Sequence, residues 1–153
     1  MWNPFKRSAD TLLTNADKQL LVEAIQLAEK HTCGEIRVYV ESNVGKLDAL
    51  SRATEIFFKN KMNATKNRNG VLIYVAVKDK KIAIYGDQGI YEKLGLEFWY
   101  SQVQEMTGHF KAMNYVMGIS TVIKEIGDTL STHFPYNRET DIQELPDEIM
   151  IGK

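Results

Sequence analysis

The sequence predicts an α/β protein: a short mixed β-sheet of three to four strands held between helices on both faces. Three observations carry this. Residues 35–41 (EIRVYVE) alternate apolar Ile36, Val38 and Val40 with Arg37 and Tyr39, the period-2 pattern of a strand with one covered face. Residues 71–77 (VLIYVAV) are apolar throughout, as a central strand covered on both faces must be. Apolar residues at helical spacing fill the intervals before, between and after those strands. A helix joining two strands of one sheet implies a parallel pair with a right-handed crossover.

Taken in order, residues 1–13 read as an irregular lead-in, because Pro4 opposes a helix through them. Thr14 can cap a helix, and Asp17 three residues later completes a capping-box-like pair. Leu21, Ala24, Ile25 and Ala28 then form an apolar face. This helix is expected to end near His31, with Gly34 taking the left-handed turn beyond it. After a loop at Ser42–Lys46, Leu47, Leu50, Ala53 and Phe57 carry a second helix to about Met62. Lys78-Asp79-Lys80 links the central strand to KIAIY at 81–85 as an antiparallel hairpin. A third helix is expected over 90–107, with Leu94 and Phe98 inward. A fourth is expected over 111–131, with Tyr115, Ile119, Val122, Ile126 and Leu130 on one side. The chain thus divides into a lead-in (1–13), an α/β domain (14–134) and a loose acidic arm (135–153). The arm carries Glu139, Asp141, Glu144, Asp147 and Glu148 and is a candidate docking segment for a protein partner.

Composition narrows the function. The 153 residues make one domain, and 44% apolar with 25% charged is the balance of a soluble globular chain. Nineteen basic residues against twenty acidic ones argue against a nucleic-acid partner, which calls for a surplus of Lys and Arg. No apolar run approaches the length of a membrane span. The opening MWNPFKRSAD lacks the apolar core of a secretory signal, so a cytoplasmic location is expected. A single cysteine, Cys33, excludes an internal disulfide and a Cys-based zinc site.

The topology brings chemistry to one edge of the sheet. Glu35 opens the first strand, Asn69-Gly70 opens the strand parallel to it, and the hairpin sets Asp87 opposite about Val71. Carboxylate and amide oxygens gathered there suit a hard cation, Ca²⁺ or Mg²⁺. Glycines at 70, 86 and 89 would let backbone carbonyls approach. The candidate ligands are Asp87, Asn69 and Glu35, with Asn67 and the Gly86 backbone as contributors. The same residues also fit hydrogen bonding at strand ends, with the glycines in tight bends. Thr65-x-Asn67-x-Asn69-Gly70 has the oxygen spacing of an EF-hand opening, but Ala76 stands where its bidentate Glu belongs, so an EF-hand is rejected. Cys33 and Arg37 are too close for a phosphate-cradling loop. His31, His109 and His133 are isolated from one another in sequence. Adjacent helical residues Trp99 and Tyr100 cannot both face inward, so one is expected at the surface. Lys78, Lys80 and Lys81 read as a solvated turn.

Thr32-x-Gly34-Glu35-Ile36, Arg68-Asn69-Gly70-Val71-Leu72-Ile73 and Gly86-Asp87-x-Gly89-Ile90 occur in that order, with Phe110 and Gly118-Ile119 in the last helical region. This set resembles the TPM domain over about residues 12–134. The resemblance implies a compact α/β sandwich that binds divalent cations such as calcium, with Asn69, Gly70, Gly86 and Asp87 at the cation site. A plant relative of the thylakoid lumen is associated with acid phosphatase activity and photosystem II repair, and an animal relative modulates receptors. Two readings follow. The first is a Ca²⁺- or Mg²⁺-binding domain that, if an enzyme, hydrolyses phosphomonoesters with metal assistance. The alternative is a non-catalytic interaction or regulatory module stabilised by its cation. Relatives often carry a signal peptide, a transmembrane helix or a Gly-rich tail, none of which is expected here. Their early acidic motif is approximated only by Asp10-Thr11-Leu12-Leu13-Thr14, at a different spacing.

Overall fold

The computed structural model describes residues 12–137 and 142–152. Asp10, Glu139 and Asp141, singled out above, lie outside them. Helix α1 (Asn15–Glu29) leads to β1 (Glu35–Glu41), and α2 (Ala49–Lys59) crosses to β2 (Gly70–Ala76). The chain returns as β3 (Lys81–Gly86), followed by α3 (Gln88–Lys111), α4 (Tyr115–His133) and a two-residue strand, β4 (Met150–Ile151). The strands form one sheet in the order β3-β2-β1-β4, with β1 parallel to both its neighbours and β3 antiparallel to β2.

Strand alternation sorts the core into two layers. Ile36, Val38 and Val40 point to the face covered by α1, α3 and α4, where they meet Leu21, Ile25, Met106, Ile119, Val122 and Ile126. Leu72, Tyr74 and Ala83 point to the other face and pack on Ala53, Ile56 and Phe57 of α2. All seven residues of β2 are buried, as its apolar run requires. The helix start at Thr14 holds: its hydroxyl accepts from Asp17 N at 3.0 Å, and Asp17 Oδ2 accepts from Thr14 N at 3.0 Å. Trp99 is buried and Tyr100 exposed, as adjacency demands.

Four expectations change. Asp48 caps α2, its Oδ1 accepting from Ser51 N at 2.8 Å, and that start phases Ala53, Ile56 and Phe57 inward while Leu47 and Leu50 face solvent. Helix α3 runs from Gln88 to Lys111 and is broken at Gly95, whose φ of 79° interrupts the helical backbone. Gly34 is not left-handed, since the positive-φ glycines are Gly45 and Gly95 among the described residues. It is instead closely packed, since a Cβ there would sit 3.0 Å from the Leu130 side chain. The fourth change is the largest. The 142–152 stretch is no loose arm: β4 extends the sheet beside β1, Gly152 N donates to Val40 O at 2.8 Å, and Leu145 is buried in the α2-side layer. The few apolar residues among its acids anchor it, and β1 gains a partner along an edge otherwise left open.

Two glycines of α3 make a matched test of close approach. A Cβ on Gly89 would lie 2.0 Å from Asn67 O and 2.6 Å from Arg68 O, while one on Gly108 would meet nothing within 4 Å. Gly89→Ala should therefore cost about 3 kcal/mol. Gly108→Ala, at an exposed helical position, should stabilise by roughly 0.5–1 kcal/mol. Urea midpoints at unchanged m-value would register both signs.

Candidate functional site

Register fixes the rim. Glu35 pairs with Gly70 and Gly86 with Val71, so the starts of β1 and β2 and the end of β3 lie on one edge of the sheet. Glu35 N donates to Asn69 O at 3.3 Å, Asp87 N to Gly70 O at 2.9 Å, and Gly89 N to Arg68 O at 2.8 Å. Glu35, Asn69 and Asp87 are all buried.

Their side chains nevertheless divide between two arrangements. Asp87 is held by Arg68, which donates from Nε at 2.6 Å and from Nη2 at 2.8 Å, and Asp87 Oδ1 also accepts from Gln88 N at 2.8 Å. This carboxylate is both the cap of α3 and one half of a bidentate ion pair. Gly86 lies under the Trp99 ring, 2.7 Å from where a Cβ would stand, and so serves packing. Asn67 and Asn69 both direct Nδ2 at Cys33 Sγ at 3.5 Å. Asn69 Oδ1 is buried with no hydrogen-bond partner among the described residues.

Glu35 belongs to the second arrangement. Its Oε1 accepts from Glu144 N at 2.6 Å. Beside it stands Glu29, the last residue of α1, whose Oε2 accepts from Ile36 N at 2.8 Å. Asp147 completes the group from the C-terminal segment, and its Oδ1 is buried with no hydrogen-bond partner among the described residues. The three carboxyls line a cavity of about 400 Å³ that also takes in Thr32, Cys33 and Tyr136. Burial first, then the charge of Glu35, push the Glu29 carboxyl up to about 10. Burial likewise pushes Glu35 up to about 7, against the opposing pull of its hydrogen bonds from Glu144 and Glu29. Both shifts run toward the protonated form, as expected of two carboxyls that repel each other. Among the described residues, no three His, Cys, Asp or Glu side chains stand ready-made to grip a metal ion.

Glu29, Asp147 and Arg68 are not among the site residues the sequence suggests. One signal was available for Glu29: a carboxylate in the last turn of a helix opposes the macrodipole, so its presence there asks for a reason. Arg68 sits inside the Arg-Asn-Gly motif but at a left-handed φ of 49°, which local pattern does not announce. Asp147 becomes visible only once the C-terminal segment is known to fold back.

The chain belongs to the TPM-domain family, whose model matches residues 7–129. In three dimensions it is similar to BA42 from the psychrophilic bacterium Bizionia argentinensis, solved by NMR. The TM-score is 0.86 and the identity 40%, over 94% of this chain and 97% of that one. It also resembles the N-terminal domain of a protein from P. gingivalis, with a TM-score of 0.68 at 17% identity over 81% and 80% of the two chains, a likeness of fold. No curated protein matches the chain in sequence. Among the described residues, no helix is long and apolar enough to cross a membrane.

The raised carboxyls fix a sign. From the ordinary value of 4.5, Glu35 rises to about 7 and Glu29 to about 10. The unfolded chain therefore releases these protons first, and the stability they contribute is full below pH 4.5 and lost as pH rises through the two folded values. In metal-free buffer, Glu29→Gln should gain thermal midpoint relative to the wild type steadily between about pH 5 and about pH 9. A difference that stays flat or shrinks across that window contradicts the assignment.

Proposed function

We propose that this TPM domain is a divalent-cation-binding module that takes Ca²⁺ or Mg²⁺ at the acidic cavity beside Glu35. One observation carries the reading: the half-buried Glu29 stands beside the buried Glu35, with Asp147 next to them presenting an oxygen that has no partner among the described residues. The donor set is all oxygen, which fits a hard cation. A cation entering this cavity displaces the retained proton and removes the like-charge conflict that holds it there, so binding and proton release are coupled. Of the residues read from the sequence, Glu35 is a ligand in this proposal. Asn69, whose Nδ2 touches Cys33 at the cavity wall, is a candidate through its free Oδ1. Asp87, Asn67 and Gly86 shape the rim instead, since Arg68 already neutralises Asp87.

Charge favours a non-catalytic interaction or regulatory module over a phosphatase. Among the described residues, Lys30 is the one cationic side chain lining the cavity, so apart from the ion a phosphomonoester would find a single positive group to hold it there. Ion binding then acts by mass action, tightening the C-terminal segment against the rim.

Titrating Ca²⁺ or Mg²⁺ into metal-free protein should give saturable amide shifts at 29–36 and 144–148. Glu35→Gln should weaken them at least tenfold, and p-nitrophenyl phosphate turnover should stay at the level of metal alone. Shifts centred on 86–89 and abolished by Asp87→Asn would move the ion to the Arg68 pair and overturn this site, and metal-dependent turnover would overturn the non-catalytic reading.

A further inference from the structure

The end of β2 farthest from the acidic rim borders a second cavity, of about 330 Å³, with the opposite charge. Val75 and Ile82 of the sheet, Val77 just past β2, and Val103 and Phe110 of α3 line it. Its volume is in the range of small-molecule sites. Among the described residues, the charged side chains lining it are Lys80, Lys81 and Lys111.

These two properties select one kind of guest. Lysines lay their methylene stems along apolar surface and keep their ammonium groups at the water boundary. An apolar chamber edged with ammonium groups suits a molecule that has an alkyl tail and an anionic head, and it disfavours a polar solute or an alkyl cation. The chamber is also too small for the paired tails of a bilayer lipid. We propose that this cavity binds a free single-chain fatty acid, with its alkyl chain against Val77, Val103 and Phe110 and its carboxylate at Lys81 and Lys111. The inference is independent of cation binding, because the two cavities share no lining residue. Leu12 also lines the cavity, and the sequence before it carries Trp2 and Phe5, so that segment is the competing occupant the test must separate.

The test uses the full chain in low salt with octanoate, decanoate and dodecanoate, followed by calorimetry and amide shifts. Binding should be one to one. Affinity should rise about fifteenfold for each two-carbon step, as the burial of two further methylenes requires. Shifts should map to 75–82 and 103–111. Dodecyltrimethylammonium should bind at least tenfold more weakly than dodecanoate. Lys81→Glu with Lys111→Glu should reduce dodecanoate affinity at least tenfold, with the thermal midpoint showing that the variant is folded. Equal affinity for the anionic and cationic amphiphiles would overturn the proposal, as would shifts centred on the exposed Leu96 and Tyr100. So would a wild-type chain that binds none of the three acids while Trp2→Ala with Phe5→Ala does, which would make the chain's own leading segment the occupant.

Discussion

Two carboxyl groups set against each other, the half-buried Glu29 at the end of α1 and the buried Glu35 at the start of β1, constrain everything around them. Carboxylates so placed resist being charged together without a counterion, and both are shifted toward the protonated form. The turn between α1 and β1 holds them in place through Glu29 Oε2 and Ile36 N. The C-terminal segment is drawn over them by the hydrogen bond from Glu144 N to Glu35. What looks like an acidic tail is therefore part of the rim, with β4 docking it along β1.

The same fold handles other buried carboxylates differently, and the contrast gives the rim its meaning. Glu41, at the far end of β1, receives two bonds from Arg52, at 2.8 Å from Nε and 2.9 Å from Nη2, and the Tyr74 hydroxyl donates to it as well. Burial alone would raise Glu41, but those partners outweigh it and hold its carboxyl below the ordinary value. Asp87 has Arg68 in the same bidentate form. Arginine is thus this chain's answer to a buried acid, supplied once on each side of β2. Glu35 has instead a second acid. The nearest arginine on its strand, Arg37, reaches toward Glu148 at 4.0 Å rather than toward Glu35. A group left without the solution its neighbours enjoy is where a ligand is worth seeking.

Much of the fold was legible because it is local. Thr14 and Asp17 sit three residues apart, and the strand patterns of 35–41 and 71–77 need no distant partner to be read. The hairpin followed from adjacency, and with it the shared edge of Glu35, Asn69 and Asp87. Side-chain destinations did not follow. Asp87 and Glu35 share the edge, yet Arg68 takes one and Glu29 the other, and neither partner is set by strand register. Gly34 looked like a turn glycine because it follows a helix, whereas what crowds it is the side chain of Leu130, far along the chain. Leu47 and Leu50 share the helical spacing of Ala53 and Phe57, but the Asp48 cap starts the helix at Ala49 and turns both leucines to solvent. The 142–152 segment escaped because charge density hid the few apolar anchors, Leu145 and Ile151 among them.

The central claim is that Glu29 and Glu35 retain a proton that a divalent cation can replace, and carbon-detected NMR titration of the glutamate side-chain carboxyls tests it most directly. In metal-free protein Glu35 should titrate near 7 and Glu29 well above it, and saturating Ca²⁺ or Mg²⁺ should bring both down toward the ordinary 4.5. Two carboxyls that already titrate near 4.5 without metal, or raised values that the ions leave unmoved, would contradict it.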